Sequence, residues 1–271
     1  MSFRVLDEFF KCHEISEKGS IVLGEIGAFS GVLLQMLWAL LPRFLLALFM
    51  TGALLVLFFS RVKERVRRHV THWDSHLREL AGRMRYRTPG DEASDRVKWT
   101  WFFRFWTNFA SAPSLSFWSL FVPFWMWQRA LSTAPNAQTT LASTSHWVLP
   151  GVCYAGSMLL SFVLKRVFKR VRPPREGQAF GYKLKDPSFP SGHSLTSFCF
   201  WLMLAVVVST TGTMSFLGAL LFSLFALSIP LLTGWSRIYL GVHFPSDVAG
   251  GYCIGMAWCV ACFLAFPFLL V

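Results

Sequence analysis

The amino-acid sequence predicts an all-α integral membrane protein with six transmembrane helices. Three observations carry this. Of 271 residues, 54% are apolar and 17% aromatic, more than a water-soluble core of this size requires. Apolar stretches of about 20 residues recur along the chain, the length that a helix rising about 1.5 Å per residue needs to cross roughly 30 Å of hydrocarbon. The basic residues cluster between these stretches rather than within them. The whole chain, 1–271, reads as a single membrane domain.

The first 19 residues mix Arg4, Asp7, Glu8, Lys11, Glu14 and Glu17 with apolar positions and lack the continuous apolar core of a secretory signal. The first apolar block, 28–60, is about 50 Å long as a helix, too long for one upright span and too short for two. Arg43 after Pro42 marks a division, so 44–60 is taken as the crossing, preceded by a shallow or tilted helix.

Residues 61–87 are strongly basic, while Val62, Val66, Val70, Trp73, Leu77, Leu80 and Met84 recur at helical spacing. This is the pattern of an amphipathic helix on the membrane surface, its arginines toward lipid headgroups. A dimer-forming coiled coil, and with it a homo-oligomer, is the competing reading of the same repeat. His69, His72 and His76 share a face of this helix but have no cysteine or paired carboxylate to complete a metal site, so a polar stripe is the favoured reading. Pro89 and Gly90 then break the helix.

Six tryptophans between 99 and 127 fit an interfacial approach followed by a second crossing at 112–130. After a polar connector, 132–145, the remaining crossings fall at 147–168, 194–210, 215–234 and 248–270. Cys153, Cys199, Cys253, Cys259 and Cys262 lie within these stretches without metal-ligand spacing and read as buried free thiols. The net charge of +12 suits membrane-flanking loops and phosphate binding. No groove-reading motif supports a nucleic-acid partner.

Three short patterns place polar and charged residues at the ends of crossings, where they are costly unless solvated, paired or functional. Because successive crossings alternate in direction, the ends of the third and fifth and the start of the fourth share one side of the membrane. The first pattern is KRVFKRVRP, 165–173: Lys165 and Arg172 are seven residues apart, two turns of a helix carried on to Pro173, and so would share a face. Taken alone, this is also what snorkelling anchors at a helix end look like. The second is Pro190-Ser191-Gly192-His193 before an apolar helix, whose free N–H groups can face an anion, and which also reads as an ordinary capped helix start. The third is SRIYLGVHFPSD, 236–247. There His243 and Asp247 are one turn apart, so the carboxylate can hold one imidazole nitrogen and leave the other's lone pair free; a surface histidine and a capping aspartate are the bland alternative.

Jointly, Lys165, Arg172, Pro173, Pro190, Ser191, Gly192, His193, Ser236, Arg237, His243 and Asp247 match K-x6-RP, PSGH and SR-x5-H-x3-D in order and spacing. The region 147–271 thereby resembles the type 2 phosphatidic acid phosphatase (lipid phosphate phosphatase) family. The resemblance implies a phosphoric ester hydrolase in which Lys165, Arg172, Ser191, Gly192 and Arg237 bind phosphate without a metal ion or other cofactor. It further implies that His243, oriented by Asp247, is the nucleophile that forms a phosphohistidine, and that His193 is the acid and then the base. The implied substrate is a lipid phosphate or isoprenyl diphosphate drawn from the membrane lipids, with the tail left open.

A lipid phosphotransferase would use the same pocket, with an alcohol in place of water. Vanadium haloperoxidases have a similar signature but are mainly soluble. A catalytically silent membrane scaffold or transporter would have no need of a complete acid, nucleophile and orienter. The basic loop after the first crossing lies on the pocket side, so the positive-inside rule favours a cytosol-facing site, in an endoplasmic reticulum or bacterial inner membrane, whereas the family resemblance pulls toward the opposite face.

Overall fold

The computed structural model describes residues 30–31, 34, 41–55, 57, 72–82, 93–132, 145–174 and 186–265. Every regular element among them is helical. In chain order these are α1 (Leu41–Leu55), α2 (72–82), α3 (Ala93–Phe109), α4 (Ala112–Leu131), a 3-10 turn at Ser145–Val148, α5 (Leu149–Phe168), α6 (Gly192–Thr210), α7 (Phe216–Tyr239) and α8 (Pro245–Ala265). The rest of the basic segment 61–87, most of the connector 132–145, and residues 266–270 of the last expected crossing lie outside the described residues.

Among the described residues, four helices are long and apolar enough to cross a membrane: His146–Phe168, Gly192–Thr210, Phe216–Tyr239 and Pro245–Ala265. α4 has the same length as α5, 20 residues, but its serines and Trp118, Trp125 and Trp127 lower its hydropathy, and α1 is shorter over its described part. α6 is the hub of the bundle, packing on α5, α7 and α8. α7 turns Leu217, Leu221, Leu224 and Leu231 outward, a surface whose matching solvent is lipid. The core is closed by Trp258 of α8, fully buried beside Gly156, its indole N–H donating to Cys153 O at 2.9 Å. Among the five cysteines described, Cys253 is exposed on α8 rather than buried, and the other four are buried.

Several boundaries differ from the sequence expectation in ways that matter for the site. α7 continues past Gly234 to Tyr239, so Arg237 sits in its last turn, and α8 starts at Pro245, so Asp247 sits in its first. α5 ends at Phe168 instead of running on toward Pro173, because Lys169 adopts a left-handed conformation (φ 45°) and caps the helix through its N–H to Lys165 O at 3.0 Å. Lys165 and Arg172 therefore do not share a helix face. Arg172 precedes Pro173, which disfavours helical backbone for it, and it reaches the site from an irregular segment.

On α2, Trp73 and Leu80 are exposed. The face turned to the protein carries Asp74 and Ala81, both buried, with Ala81 packed near Ile238 and Val248. His72 and His76 are exposed, and among the described residues no three His, Cys, Asp or Glu side chains are grouped as metal ligands.

Candidate active site

The three signature segments meet at one end of the bundle. Between α7 and α8 the chain turns at Gly241 (φ 71°), a conformation that costs glycine little. This places His243 in the loop, 4% exposed, directly before α8. The PSGH segment is held against the same helix start: Ser191 N donates to Asp247 O at 3.0 Å. Gly251 allows that approach, since a Cβ there would meet Ser191 O at 3.2 Å and Leu195 N at 3.3 Å. Ser191 is the N-cap of α6, and its Oγ pairs with Ser194 Oγ at 2.9 Å.

His243 Nε2 lies 3.2 Å from Arg172 Nη1. Arginine can only donate, so Nε2 accepts and the ring proton is assigned to Nδ1. Nδ1 faces Asp247 Oδ2 and Ser188 Oγ, each at 3.5 Å, the long end of hydrogen-bond distance. Burial pushes the His243 imidazole down from 6.5 to about 4; Asp247 raises it and the Arg172 guanidinium lowers it further. At neutral pH the ring is uncharged, and its Nε2 lone pair accepts from Arg172.

Arg172 is fixed by four contacts: Nε to Asp186 O at 2.8 Å, Nη2 to Asp186 Oδ1 at 2.9 Å, Nη1 to Val242 O at 2.8 Å, and Nη1 to His243. The other Asp186 oxygen accepts from Lys165 Nζ. Burial alone would raise the Asp186 carboxyl, but the hydrogen bond and charge of Lys165, with those of Arg172, leave it below its usual range. A carboxylate thus spans the two cations that the signature assigns to phosphate. Arg237, Lys165 and Arg172 are the cations whose fields act on the His193 ring.

A cavity of about 220 Å³ opens beside these polar groups. Lys165, Gly192 and His193 form its polar end. Met158, Phe162 and Ala112 line its apolar part, where the break between α3 and α4 leaves small residues. α3 also supports the third motif, with Thr107 Oγ1 2.7 Å from Ser236 Oγ.

The structure brings Lys165, Arg172, Ser191, Gly192, His193, Arg237, His243 and Asp247 to this one end. It adds four residues that sequence reasoning missed. Asp186 and Ser188 lie on the approach to PSGH, and Ser188 Oγ donates to Asp247 Oδ2. Arg170 lies inside the K-x6-RP block at a position the pattern leaves free and donates to Asp247 Oδ1 at 2.7 Å. Asp74, an acid on a basic helix, accepts from Arg170 Nη2 at 2.7 Å. Glu64 and Glu79 lie in the same basic segment, so its sign alone did not single Asp74 out.

Residues 146–269 match the PAP2 superfamily. A phosphatidylglycerophosphatase B of Bacillus subtilis is 36% identical over 100 residues, which are 36% of this chain and 47% of that protein. The Escherichia coli protein YbjG, named as an undecaprenyl-diphosphatase, is 32% identical over 112 residues, 41% of this chain and 52% of that protein. The chain thus spans about half the length of the curated relatives it matches. The crystal structure of a transmembrane PAP2 type phosphatidylglycerolphosphate phosphatase from Bacillus subtilis superposes with a TM-score of 0.57 at 23% identity, over 80% of this chain and 95% of that one, which is a likeness of fold. All three signature segments, 165–173, 190–193 and 236–247, converge inside this matched span.

Proposed function

We propose that this chain is a metal-independent phosphatase of a lipid phosphate or isoprenyl diphosphate, acting through a phosphohistidine. The observation that carries the reading is the placement of His243 Nε2 against Arg172, which with Lys165 already holds a carboxylate. An anionic phosphoryl group bound by the same cations would sit next to an uncharged nitrogen nucleophile. The names of the curated relatives, a phosphatidylglycerophosphatase and an undecaprenyl-diphosphatase, support the substrate class.

The steps follow from the residue chemistry. Lys165, Arg172 and Arg237, with the Ser191 hydroxyl and the backbone at Gly192, neutralise and orient the phosphoryl oxygens, the work a metal ion would otherwise do. His243 Nε2 forms a bond to phosphorus as the bond to the ester oxygen breaks, and protonated His193 delivers its proton to the departing alcohol or phosphate. His193 then takes a proton from water, whose oxygen attacks phosphorus; the P–N bond breaks and phosphate leaves. Asp247 and Ser188 hold the Nδ1 side of His243 throughout. The cavity lined by Met158, Phe162 and Ala112 takes the apolar tail next to the ester.

In this reading α1 and α4 complete six crossings with the four long apolar helices, and the site faces the side that carries the basic segment 61–87, which the positive-inside rule assigns to the cytosol. Protease cleavage of a tag placed between 88 and 95 in sealed inside-in vesicles would reverse that assignment. The activity itself is tested by phosphate release from phosphatidate, sphingosine phosphate, lysophosphatidate and isoprenyl mono- and diphosphates, using purified protein in detergent with chelator. Release from at least one of them, abolished by His243→Ala, is expected. Release that stops on adding chelator, or survives His243→Ala, would overturn the mechanism.

A further inference from the structure

α2 lies outside the three-motif signature and outside the matched span 146–269, yet it reaches residues that contact Asp247. Asp74 is 4% exposed. Its Oδ1 accepts from Ser246 N at 2.8 Å, and its Oδ2 accepts from Ser246 Oγ at 2.7 Å and from Arg170 Nη2 at 2.7 Å. A carboxylate is held buried only where such partners offset its lost hydration, so these bonds specify where α2 docks.

The partners of Asp74 are the neighbours of the orienting carboxylate. Ser246 immediately precedes Asp247. Arg170 uses its second nitrogen, Nη1, to donate to Asp247 Oδ1 at 2.7 Å and to Ser246 Oγ at 2.6 Å. One guanidinium is therefore shared by two carboxylates, one from α2 and one from the first turn of α8. Phe244 covers its face at 4.3 Å, and Arg78 of α2 lies 5.1 Å from the same ring. With one anchor, a long and partly exposed arginine could swing away; with anchors on both terminal nitrogens its plane is set. Asp247 is then tied at Oδ1 by Arg170 and at Oδ2 by Ser188 and by Phe244 N at 2.8 Å, which leaves its rotation no freedom relative to His243.

We propose that Asp74 is a positioning residue for the phosphoryl transfer: by clamping Arg170 and Ser246 it fixes Asp247, and through it His243, so that docking of the surface helix α2 is a condition of catalysis. This rests on the reading of Asp247 as the orienter of a nucleophilic His243. The clamp touches neither Lys165 nor the apolar cavity, so its loss acts on turnover and spares substrate binding.

The test is steady-state kinetics with dioctanoyl phosphatidate in detergent micelles, comparing the full chain with Asp74→Asn, Asp74→Ala, Arg170→Gln, the double variant Asp74→Asn/Arg170→Gln and Ser75→Ala, each with its thermal transition. Ser75 sits next to Asp74 but bonds its own helix at His72 O. A small misplacement of a reacting group can cost about 100-fold, so kcat is expected to fall roughly 10-fold in Asp74→Asn and up to about 100-fold in Asp74→Ala, with KM within about threefold and Ser75→Ala unchanged. In the Arg170→Gln background, Asp74→Asn is expected to cost less than about threefold, because the two residues act as one unit. Unchanged kcat in folded Asp74→Asn, a change confined to KM, full additivity with Arg170→Gln, or an equal loss in Ser75→Ala each overturns the proposal. So does a loss of activity that only follows loss of folded protein in both Asp74 variants. His243→Ala and Asp247→Asn belong in the same series. If those variants stay active, the parent assignment has failed; if they are inactive while Asp74→Asn is normal, only the present inference has.

Discussion

His243 Nε2 faces Arg172 Nη1 at 3.2 Å, so the lone pair of the proposed nucleophile accepts from the guanidinium proposed to hold phosphate. The two roles are joined in one contact. Arg172→Lys keeps the charge but loses the fork that binds Asp186 on two edges, Val242 O and His243 together. Because removing one preorganised donor to a transition-state oxyanion costs about 100- to 1,000-fold, kcat/KM of Arg172→Lys is expected to fall into that range in a phosphate-release assay. Activity within threefold of the parent would show that Arg172 does not touch the reacting phosphoryl group.

Asp186 must give up Lys165 and Arg172 whenever a phosphoryl group takes its place. Its side chain is 47% exposed, so each pair is worth only a surface-type contribution. At a total on the order of 1 kcal/mol for the two pairs, Asp186→Asn is expected to tighten inhibition by inorganic phosphate roughly fivefold, with kcat little changed. A weaker phosphate inhibition constant in the variant would mean that Asp186 holds the cations in place rather than competing for them.

The His243 imidazole lies at about 4, below its unfolded value of 6.5. The acid limb of kcat/KM is therefore expected near pH 4, where the nucleophile takes up its proton, and not between 6 and 7. The linkage has the same sign. From pH 6.5 down to about 4 the unfolded chain binds a proton that the folded site refuses, so stability is present above pH 6.5 and falls across that window. Thermal transitions of the parent and of His243→Gln measured from pH 7.5 to 4 check this. The parent should lose more stability than the variant across the window, and parallel curves would contradict the depressed value.

The apolar cavity predicts a chain-length effect. Ala112 lines it at the break before α4, so Ala112→Trp would fill space next to Met158 and Phe162. KM for a long-chain substrate is expected to rise about tenfold, the order of one to a few buried methylenes, while that for a two-carbon-tail phosphate stays put. Equal effects on both substrates would move the tail elsewhere.

Much of the site was legible in the sequence, since the signature is a local pattern of residue types and spacing. Lys165, Arg172, His193, Arg237, His243 and Asp247 could be named before any fold was known, as could α5, α6 and α8 to within a few residues at the ends present in the structure. Those helices are written as uninterrupted apolar runs, because each must satisfy its own backbone in lipid. The direction in which Arg172 arrives was not legible, because a helix and a capped turn are both compatible with KRVFKRVRP. The left-handed Lys169, set by how the chain must return toward Ser188, decided between them, with Ser188 N bonding Arg170 O at 2.8 Å.

Residue types and spacing thus determined the apolar helices, the likeness to the PAP2 superfamily over 146–269 and the identity of the signature residues. Tertiary structure alone decided that Asp186 spans Lys165 and Arg172, and that Asp74, separated by 172 residues from Ser246, closes on the first turn of α8 next to Asp247. Long-range pairing of buried charges leaves no periodic trace in a single chain. It is settled only when packing brings a costly carboxylate to the partners that offset its burial.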